Sequence, residues 1–582
     1  MLRIARPARW DAAKLDGWLA RSFGVEPGPV PIAPEDDEAH ALMRAFTWRA
    51  LHLGTALLRA VKIPALAPCR ILAIAGGPNI FEVRFAAPRI DRLSPEVPGR
   101  EAAEHKAHEF AFGNAVRTLH GMCALEEAPQ ATAHAHDELQ QSFVKTLDAM
   151  VQGGGSTVPL LQAAFSLDIP FRHLSAGVFQ LGWGSAARRV DRGAIQFDSA
   201  IGARMGQDKA VSVALMRDAG LPVPAQERVP PGDDGTQAAR RLGWPVVVKP
   251  ADRDRGEGVT VDIVNDARLA SAIAQASKFS RRVLMERQVT GVCHRVVVAA
   301  NEVLLVSKRL PKLVRGDGVH SVAQLVARAN EEEMAKPPWT RLKPFPLDEV
   351  ALACLAQSGL SPSSVPPEGH PAPLRRIQSS AEGGVVEDWT DRIHPDNVEI
   401  ALKAARLFGF AIAGIDIISQ DISRPWHENG AVLNEVNYSS LLPSRLSAHV
   451  LPILLRKFFA ADGRIPVDLV MGGPEAAAEG LRLRAAHAEA GLRCCMAGHE
   501  RVVAADGKEM PVAAQGLFGR TLALLLDPDV DALVLVVQTD ELLRTGLPVD
   551  RINRVVETAD AAGAPWLGGM RELIGRYRTE AM

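Results

Sequence analysis

The chain has 582 residues, of which 47% are apolar and 23% charged, and its formal net charge is -2. That length is too great for one core and suggests about three or four domains of ordinary soluble composition. The balanced charge supplies no basic excess for nucleic acid, and no run of about 18 uncharged apolar residues predicts a membrane span.

The first 24 residues are Arg-rich and lack the apolar core of a signal peptide. Cys69, Cys123, Cys293, Cys354, Cys494 and Cys495 show no CxxC spacing, so they are expected as reduced thiols in a cytoplasmic protein. Residues 1–165 alternate helical stretches with Pro-rich joints such as Glu26–Pro31, and strand signals lie at Arg70–Ala75 and Ile80–Ala86. The Gly-rich run Gln152–Ser156 reads as a break. Within Glu104–Glu109, His105, His108 and Glu109 share one helix face at metal-compatible spacing; the alternative is a solvated polar face.

From 166 to 465, strands alternate with helices. A helical period runs from Gln207 to Ala219 and stops at Gly220. Buried strands are predicted at Pro245–Lys249, Val283–Glu286, Gly414–Ile418 and Ala431–Val436. The Pro- and Ser-rich stretch Ala335–Pro373 is expected to form long loops of the lid type. From 466 to 582 a strand at Pro466–Met471, a helix at Glu475–Ala490 and a strand at Ala532–Val537 give a short α/β pattern.

The middle region carries the chemistry. Lys209 follows Gln-Asp at a helix start, and Lys249 ends an apolar strand; compact ammonium charges of this kind suit phosphate oxygens. Gly256 and Gly258 lie in the short loop Asp254–Val259, whose amides can fold over phosphates, with an ordinary hairpin turn as the alternative. Glu286 ends a strand where backbone and carboxylate can meet adenine. Asp416 sits in an apolar strand, and Glu435 and Asn437 point to one side of another. Two acids and an amide oxygen suit Mg²⁺; the alternative is a polar face on an edge strand, but a buried carboxylate without a partner is costly. Phosphate cations, a flexible donor loop and Mg²⁺ ligands, in this order, are what ATP-dependent activation of a carboxylate for amide formation requires.

These residues are where a family resemblance emerges. The middle region resembles the ATP-grasp domain of the cyanophycin synthetases at Phe179–Gly184, Gln207–Lys209, Arg217–Pro224, Pro245–Pro250, His294-Arg295, Gly316–His320, Arg375-Arg376, Ile412–Asp416 and Glu435–Asn437. The resemblance implies an α/β multidomain chain. An accessory amino-terminal α+β domain (1–165) would precede a central ATP-grasp domain (166–465) and a Mur ligase-like domain (466–582). It implies ATP and Mg²⁺, with Lys209, Lys249, Gly256, Gly258 and Glu286 on the nucleotide and Asp416, Glu435 and Asn437 on the metal. His294 and Arg295 would lie near the acyl phosphate and incoming amine, with His294 a candidate general base.

In that family the ATP-grasp site extends a poly-aspartate backbone and the Mur-like site adds arginine to its side chains. Here the third block departs. The family's phosphate loop, Gly-Thr-Asn-Gly-Lys-Thr-Thr, is Gly472–Ala478, with Ala476 in place of lysine, Ala477 and Ala478 in place of the hydroxyls, and Glu475 where phosphate would sit. Val536–Glu541 likewise lacks the family's acidic ligand. The block is expected to be a truncated, inactive remnant whose exposed sheet needs cover, which suggests a homo-oligomer, a dimer in particular. This pattern resembles the shortened cyanophycin synthetases, which polymerise β-aspartyl-arginine onto a cyanophycin primer. Changes at Arg375–Gly384 (with a new Glu382), at Cys293 in place of an acid, and at Tyr438–Leu442 leave open a ligase for another peptide or amine. A non-catalytic partner of a full-length synthetase is the third reading.

Overall fold

The computed structural model describes residues 2–7, 9–31, 33, 36–60, 70–86, 101–125, 157–175, 177–253, 256–334, 343–376, 384–438 and 444–575. The chain opens with β1 (Leu2–Ala5), α1 (Ala12–Phe23), α2 (Glu38–Ala60), β2 (Arg70–Gly76), β3 (Ile80–Ala86), α3 (Glu101–Ala124) and α4 (Thr157–Ser166). Asp11 starts α1 by accepting from the Lys14 amide, and Gly24 ends it in left-handed backbone. Both predicted strands form, in an antiparallel sheet of order β1-β3-β2. The core around Trp18, Phe46 and Phe81 continues through α4 to Phe179, Leu181, Leu451, Leu454 and Leu455, so this region packs directly on the middle of the chain. The side chains of His105 and His108, whose spacing suits a metal, lie outside the described residues.

A small antiparallel sheet, β4 (Phe171–Ser175), β5 (Val178–Leu181), β6 (Arg188–Asp191) and β7 (Ala194–Ile195), leads to α5 (Ala200–Gln207) and α6 (Lys209–Asp218). The predicted helix over Gln207–Ala219 is therefore interrupted. Asp208 has extended backbone (φ -101, ψ 106) and caps α6 by accepting from the Ala210 and Val211 amides, which makes Lys209 the first helical residue.

Next come β8 (Gln226–Val229), α7 (Thr236–Leu242), β9 (Val246–Pro250), β10 (Thr260–Ile263), α8 (Asp266–Ser277) and β11 (Val283–Arg287). Their sheet has the order β10-β9-β11-β8. Val246, Val248 and Met285 bury one face against α7 and α8, leaving Lys249, Leu284 and Glu286 on the other. A second lobe holds β12 (Val292–Ala299), β13 (Glu302–Leu310), β14 (Leu313–Arg315), α9 (Val322–Met334), α10 (Glu349–Gln357), β15 (Pro371–Pro373), β16 (Val385–Asp388), α11 (Pro395–Phe408), β17 (Ile412–Ser419), α12 (Trp426–Asn429), β18 (Val432–Tyr438) and α13 (Ser444–Phe458). Its antiparallel sheet has the order β16-β13-β12-β17-β18, with Val296, Val298, Ile415 and Ile417 packed on the α11 side.

Where long lid loops were expected, the described residues 343–373 contain α10 and β15. Asp348 caps α10, and Ala351 and Leu355 pack with Val322, Val326 and Ala372 in a module of α9, α10, β14 and β15. The Ala/Leu run outweighs its Pro-rich flanks.

The last block contains β19 (Val467–Met471), α14 (Pro474–Glu489), β20 (Cys494–Ala497), β21 (Val502–Val503), β22 (Glu509–Met510), α15 (Gly516–Leu525), β23 (Ala532–Val537), α16 (Glu541–Thr545), β24 (Arg554–Glu557) and α17 (Leu567–Gly575). The sheet order is β22-β21-β20-β23-β19-β24, and β20, β23, β19 and β24 run parallel. The sheet is not exposed, contrary to expectation. Ala476 and Leu483 of α14 cover one face, and Leu517, Leu542, Met570 and Trp183 cover the other. Both faces are covered within the chain itself, so the bare face from which a dimer was expected is not there among the described residues. Trp183 enters from the middle region and donates to Asp550 (3.1 Å), while Gln180 donates to the Leu525 carbonyl (2.8 Å). Gly184 permits this fit, because a Cβ there would lie 2.4 Å from the Val530 carbonyl. Among the described residues no helix is long and apolar enough to cross a membrane.

Candidate active site

Two apolar strands bring the first charges together. Lys249 on β9 and Glu286 on β11 share the face turned towards α6, and their side chains meet at 2.7 Å. Both are almost fully buried, at 6% and 4% exposure. Glu286 Oε2 takes the lysine, whereas its Oε1 is buried without a hydrogen-bond partner among the described residues. An unsatisfied buried carboxylate oxygen awaits a donor.

The loop from β9 to β10 contains Gly256 and Gly258, at φ 78 and 69. Such backbone favours glycine, and a Cβ on Gly258 would also lie 2.8 Å from the Phe279 ring. At the stem of this loop the Lys209 ammonium donates to the Arg253 carbonyl at 2.7 Å and pairs with Glu435 at 3.3 Å. One lysine thus joins the glycine loop to the acidic strand of the other lobe.

There, β17 and β18 set Asp416 directly opposite Glu435, and Gly414 opposite Asn437. Arg295 of β12 binds Asp416 through two parallel hydrogen bonds of 2.7 and 2.6 Å. Burial pushes the Asp416 carboxyl up, but the charge and hydrogen bonds of Arg295, with help from Arg309 and Asn437, outweigh it and hold the group below the usual range. Asn437 donates to Asp416 at 3.4 Å, which keeps its amide oxygen for another partner.

The strands bring Arg295 into this cluster but not His294. Successive residues of β12 face opposite sides. His294 pairs across to Ile417 and lies on the α11 side, edge-on to Trp389, at 1% exposure. Burial lowers its pKa to about 4. The expected general base is therefore turned away from the acids by the strand's own alternation.

Nothing in the sequence singles out Arg309. It pairs across β13 with Cys293, and its charge acts on Arg295, Asp416 and Glu435. A Lys-Arg pair near a strand end gives no sign that it belongs to a buried sheet. Of the stretch Arg375–Gly384, only Arg375, Arg376 and Gly384 are described. Arg375 is held by Asp348 through two hydrogen bonds of 3.0 and 2.7 Å, and Arg376 lies 3.7 Å from Asp262. Glu382 falls outside the described residues. So does most of Tyr438–Leu442; only Tyr438 is seen, packed on Phe410.

In the third block the first-turn amides of α14 are already engaged. Asp560 accepts from the Gly473 amide at 3.1 Å and from the Glu475 amide at 2.9 Å. Glu541 does the same for α15, accepting from Leu517 and Phe518 at 2.9 Å each. A side-chain carboxylate occupies the place a phosphate would take at a helix start.

Against known proteins, a family model described as D-ala D-ala ligase C-terminus matches residues 215–317, which include Lys249, Glu286 and Arg295. The chain is 31% identical to the cyanophycin synthetase of Nostoc sp. over 387 residues, 64% of this chain and 42% of that protein. It is 30% identical to the glutathione biosynthesis bifunctional protein GshAB of Mannheimia succiniciproducens over 237 residues, 40% of this chain and 31% of that one. Among solved structures, a bifunctional glutathione synthetase from Pasteurella multocida is similar at 22% identity and a TM-score of 0.40, covering 62% of this chain and 55% of that one. The match spans less than half the length of the cyanophycin synthetases compared, 42% in the Nostoc protein.

Proposed function

We propose that this chain is an ATP-dependent carboxylate–amine ligase with one working site, and that it polymerises β-aspartyl-arginine dipeptides. The observation that carries the reading is Lys209, whose ammonium spans the glycine-loop stem and the Glu435 carboxylate. A phosphoryl donor held by the loop would there meet the acidic pair.

The residues fit ATP and Mg²⁺. The orphaned Glu286 Oε1 suits the amino group of adenine, and Lys249 beside it suits phosphate. Asp416 and Glu435 are carboxylates on neighbouring strands, and Asn437 adds an amide oxygen. Arg295 takes one acceptor site on each Asp416 oxygen and Asn437 a second on Oδ2, and a carboxylate has about four, so Oδ1 keeps room for a cation. The donor set is all oxygen, as Mg²⁺ prefers. Two carboxylates, an amide oxygen and phosphate oxygens are a sufficient set for Mg²⁺, which usually takes one or two carboxylates and keeps several waters. Bound there, Mg²⁺ would neutralise charge on the β- and γ-phosphates.

In such a reaction the substrate carboxylate attacks the γ-phosphorus and ADP leaves. The neutral amine then attacks the acyl carbon, inorganic phosphate leaves with the bonding electrons, and the amine's proton passes to the leaving phosphate or to solvent. Lys249 and Lys209 would hold phosphate oxygens, the glycine-loop amides would cover them, and Arg295 would keep Asp416 ionised and in register. His294 is given no proton-transfer role.

The third block supports the dipeptide reading. Ala476 replaces the lysine of a phosphate loop, and Asp560 fills the helix start, so arginine addition there lacks its means. Arginine would arrive already attached. One observation favours a second reading, a related ligase for another peptide or amine. Arg375, in the stretch matched to the substrate side, is engaged by Asp348 rather than presented alone.

The test is phosphate release from ATP with Mg²⁺ and β-aspartyl-arginine, with and without a cyanophycin primer. Dipeptide-dependent release with growing insoluble polymer is the expected result. ATP binding without dipeptide-dependent release, alongside release with another peptide or amine, would replace the substrate. No ATP binding would end the ligase reading.

A further inference from the structure

We propose that Arg282 is a positioning residue that sets Lys209 against the glycine-loop stem by bridging Asp208 and Asp252. The proposal rests on the reading of Lys209 as a phosphate-binding residue. Arg282 lies between α8 and β11, outside the residues assigned to nucleotide or metal. Its Nη1 donates to Asp208 Oδ2 at 2.6 Å, and its Nη2 donates to Asp252 Oδ2 at 3.0 Å.

Each of those acids is tied to Lys209 by the backbone. Asp208 is the extended residue that interrupts the helix between α5 and α6, and its Oδ1 accepts from Ala210 (3.0 Å) and Val211 (3.3 Å). One carboxylate oxygen thus starts the helix in which Lys209 is first, while the other is fixed by Arg282. Asp252 comes just after β9, next to Arg253, whose carbonyl receives the Lys209 ammonium. Two backbone bonds close the circuit: Lys209 N to the Ala251 carbonyl at 3.1 Å, and Ala251 N to the Arg282 carbonyl at 2.8 Å. The guanidinium therefore sits where helix start, loop stem and the turn before β11 converge.

A two-helix junction with one extended residue is a place where direction can change; α5 is packed on α11 at Gly202 and α6 enters the core at Val213, and Arg282 ties the junction residue itself to the loop stem. A planar guanidinium holds two carboxylates in a fixed geometry, whereas an ammonium is a compact point charge whose donors rotate. The Arg282 side chain is 57% exposed, so the bridge adds little to global stability. Its effect should appear in Lys209 placement, where a shift of about 1 Å can reduce function by as much as 100-fold.

The experiment is a double-mutant cycle on the full chain, read as the Kd for the non-hydrolysable analogue Mg-AMPPNP, with the thermal midpoint recorded alongside. Arg282→Gln is expected to weaken binding by about tenfold, equivalent to about 1.4 kcal/mol, with the midpoint within about 2 °C of wild type. Arg282→Lys, which keeps the charge but not the rigid planar fork, should recover only part of the affinity. Because Arg282 acts through Lys209, the Lys209→Ala/Arg282→Gln protein should bind no more weakly than Lys209→Ala alone. Additive losses, full recovery by lysine, or an Arg282→Gln protein that binds like wild type would overturn the proposal while leaving the nucleotide reading intact. If Lys209→Ala itself binds like wild type, or the wild type does not bind the analogue, the nucleotide reading of Lys209 fails and this inference fails with it.

Discussion

Replacing Lys249 by methionine tests the buried pair most directly. Methionine fills a similar volume but carries no charge. Glu286 then keeps a carboxylate at 4% exposure, with Oε1 already lacking a partner and Oε2 deprived of its own. Its surroundings include Leu284, Ala210 and Ala251. Breaking a buried ion pair by removing one member destabilises by about 3–5 kcal/mol, because the remaining charge is uncompensated. At about 2–4 °C per kcal/mol for a unit of this size, the calorimetric midpoint should fall by about 6–20 °C. Lys249→Met/Glu286→Leu removes both charges and should regain most of that loss, since apolar replacement of a whole buried pair is close to neutral. Neither protein should bind Mg-AMPPNP as wild type does, so stability and affinity separate in the double variant. A single variant that unfolds with wild type, or a double variant as unstable as the single, would refute the account of the pair.

Asp416→Asn keeps the shape but strips the charge from the acceptor of Arg295, leaving a buried guanidinium; a loss of about 3–5 kcal/mol in calorimetry and of Mg²⁺-dependent phosphate release is expected. Trp183→Ala removes an indole from the third block's core together with its bond to Asp550. The expected cost is about 3–5 kcal/mol, seen as faster amide exchange in β19 and β23, with Trp183→Phe losing less. His294 is neutral when folded, with a pKa lowered to about 4, so the unfolded chain takes up the proton first as pH falls. Stability from this site is complete above about pH 6.5 and declines by about 3 kcal/mol towards pH 4, and His294→Phe should flatten that limb of the calorimetric pH profile.

The strands of the middle region were legible because their apolar runs are short and β-branched, as in Val246–Val248 and Ile412–Ile418. The acids on them were legible as exceptions to those runs. What joins Asp416 to Glu435 was not. Their pairing depends on the register of β17 with β18, which shifts between Asp416 and Ile417. Arg309 was missed for the same reason, since only the β12–β13 pairing shows that its neighbour is Cys293. His294 is a different case. Its side of the strand could be read from alternation, because adjacent positions cannot both face the acids. Asp208 shows a local rule hidden by a stronger one, since helical period runs across it while its carboxylate starts a new helix.

The third block is best understood by following its contacts into the site. The first turn of α14 carries roughly half a positive charge, which an anion would ordinarily satisfy. Asp560 supplies that anion from within, and Glu475 adds another negative charge beside it, so an incoming phosphate would meet repulsion as well as occupied amides. The opposite side of the sheet is where the block acts on the rest of the chain. Trp183 lies in its core, and Arg464 joins Asp168, Asp462 and Asp550 around the same turn. From that turn β6 and β7 run to Asp198, which accepts from the Ala411 and Ile412 amides at 2.7 and 2.9 Å. Ile412 begins β17, the strand that bears Asp416. Strand pairing through β6 and β7, closed by the side-chain-to-backbone bonds of Asp198, therefore leads from the third block to the start of the acidic strand. An α/β unit without a phosphate seat of its own can still fix the frame in which the neighbouring acids are held, through packing rather than through a second reaction.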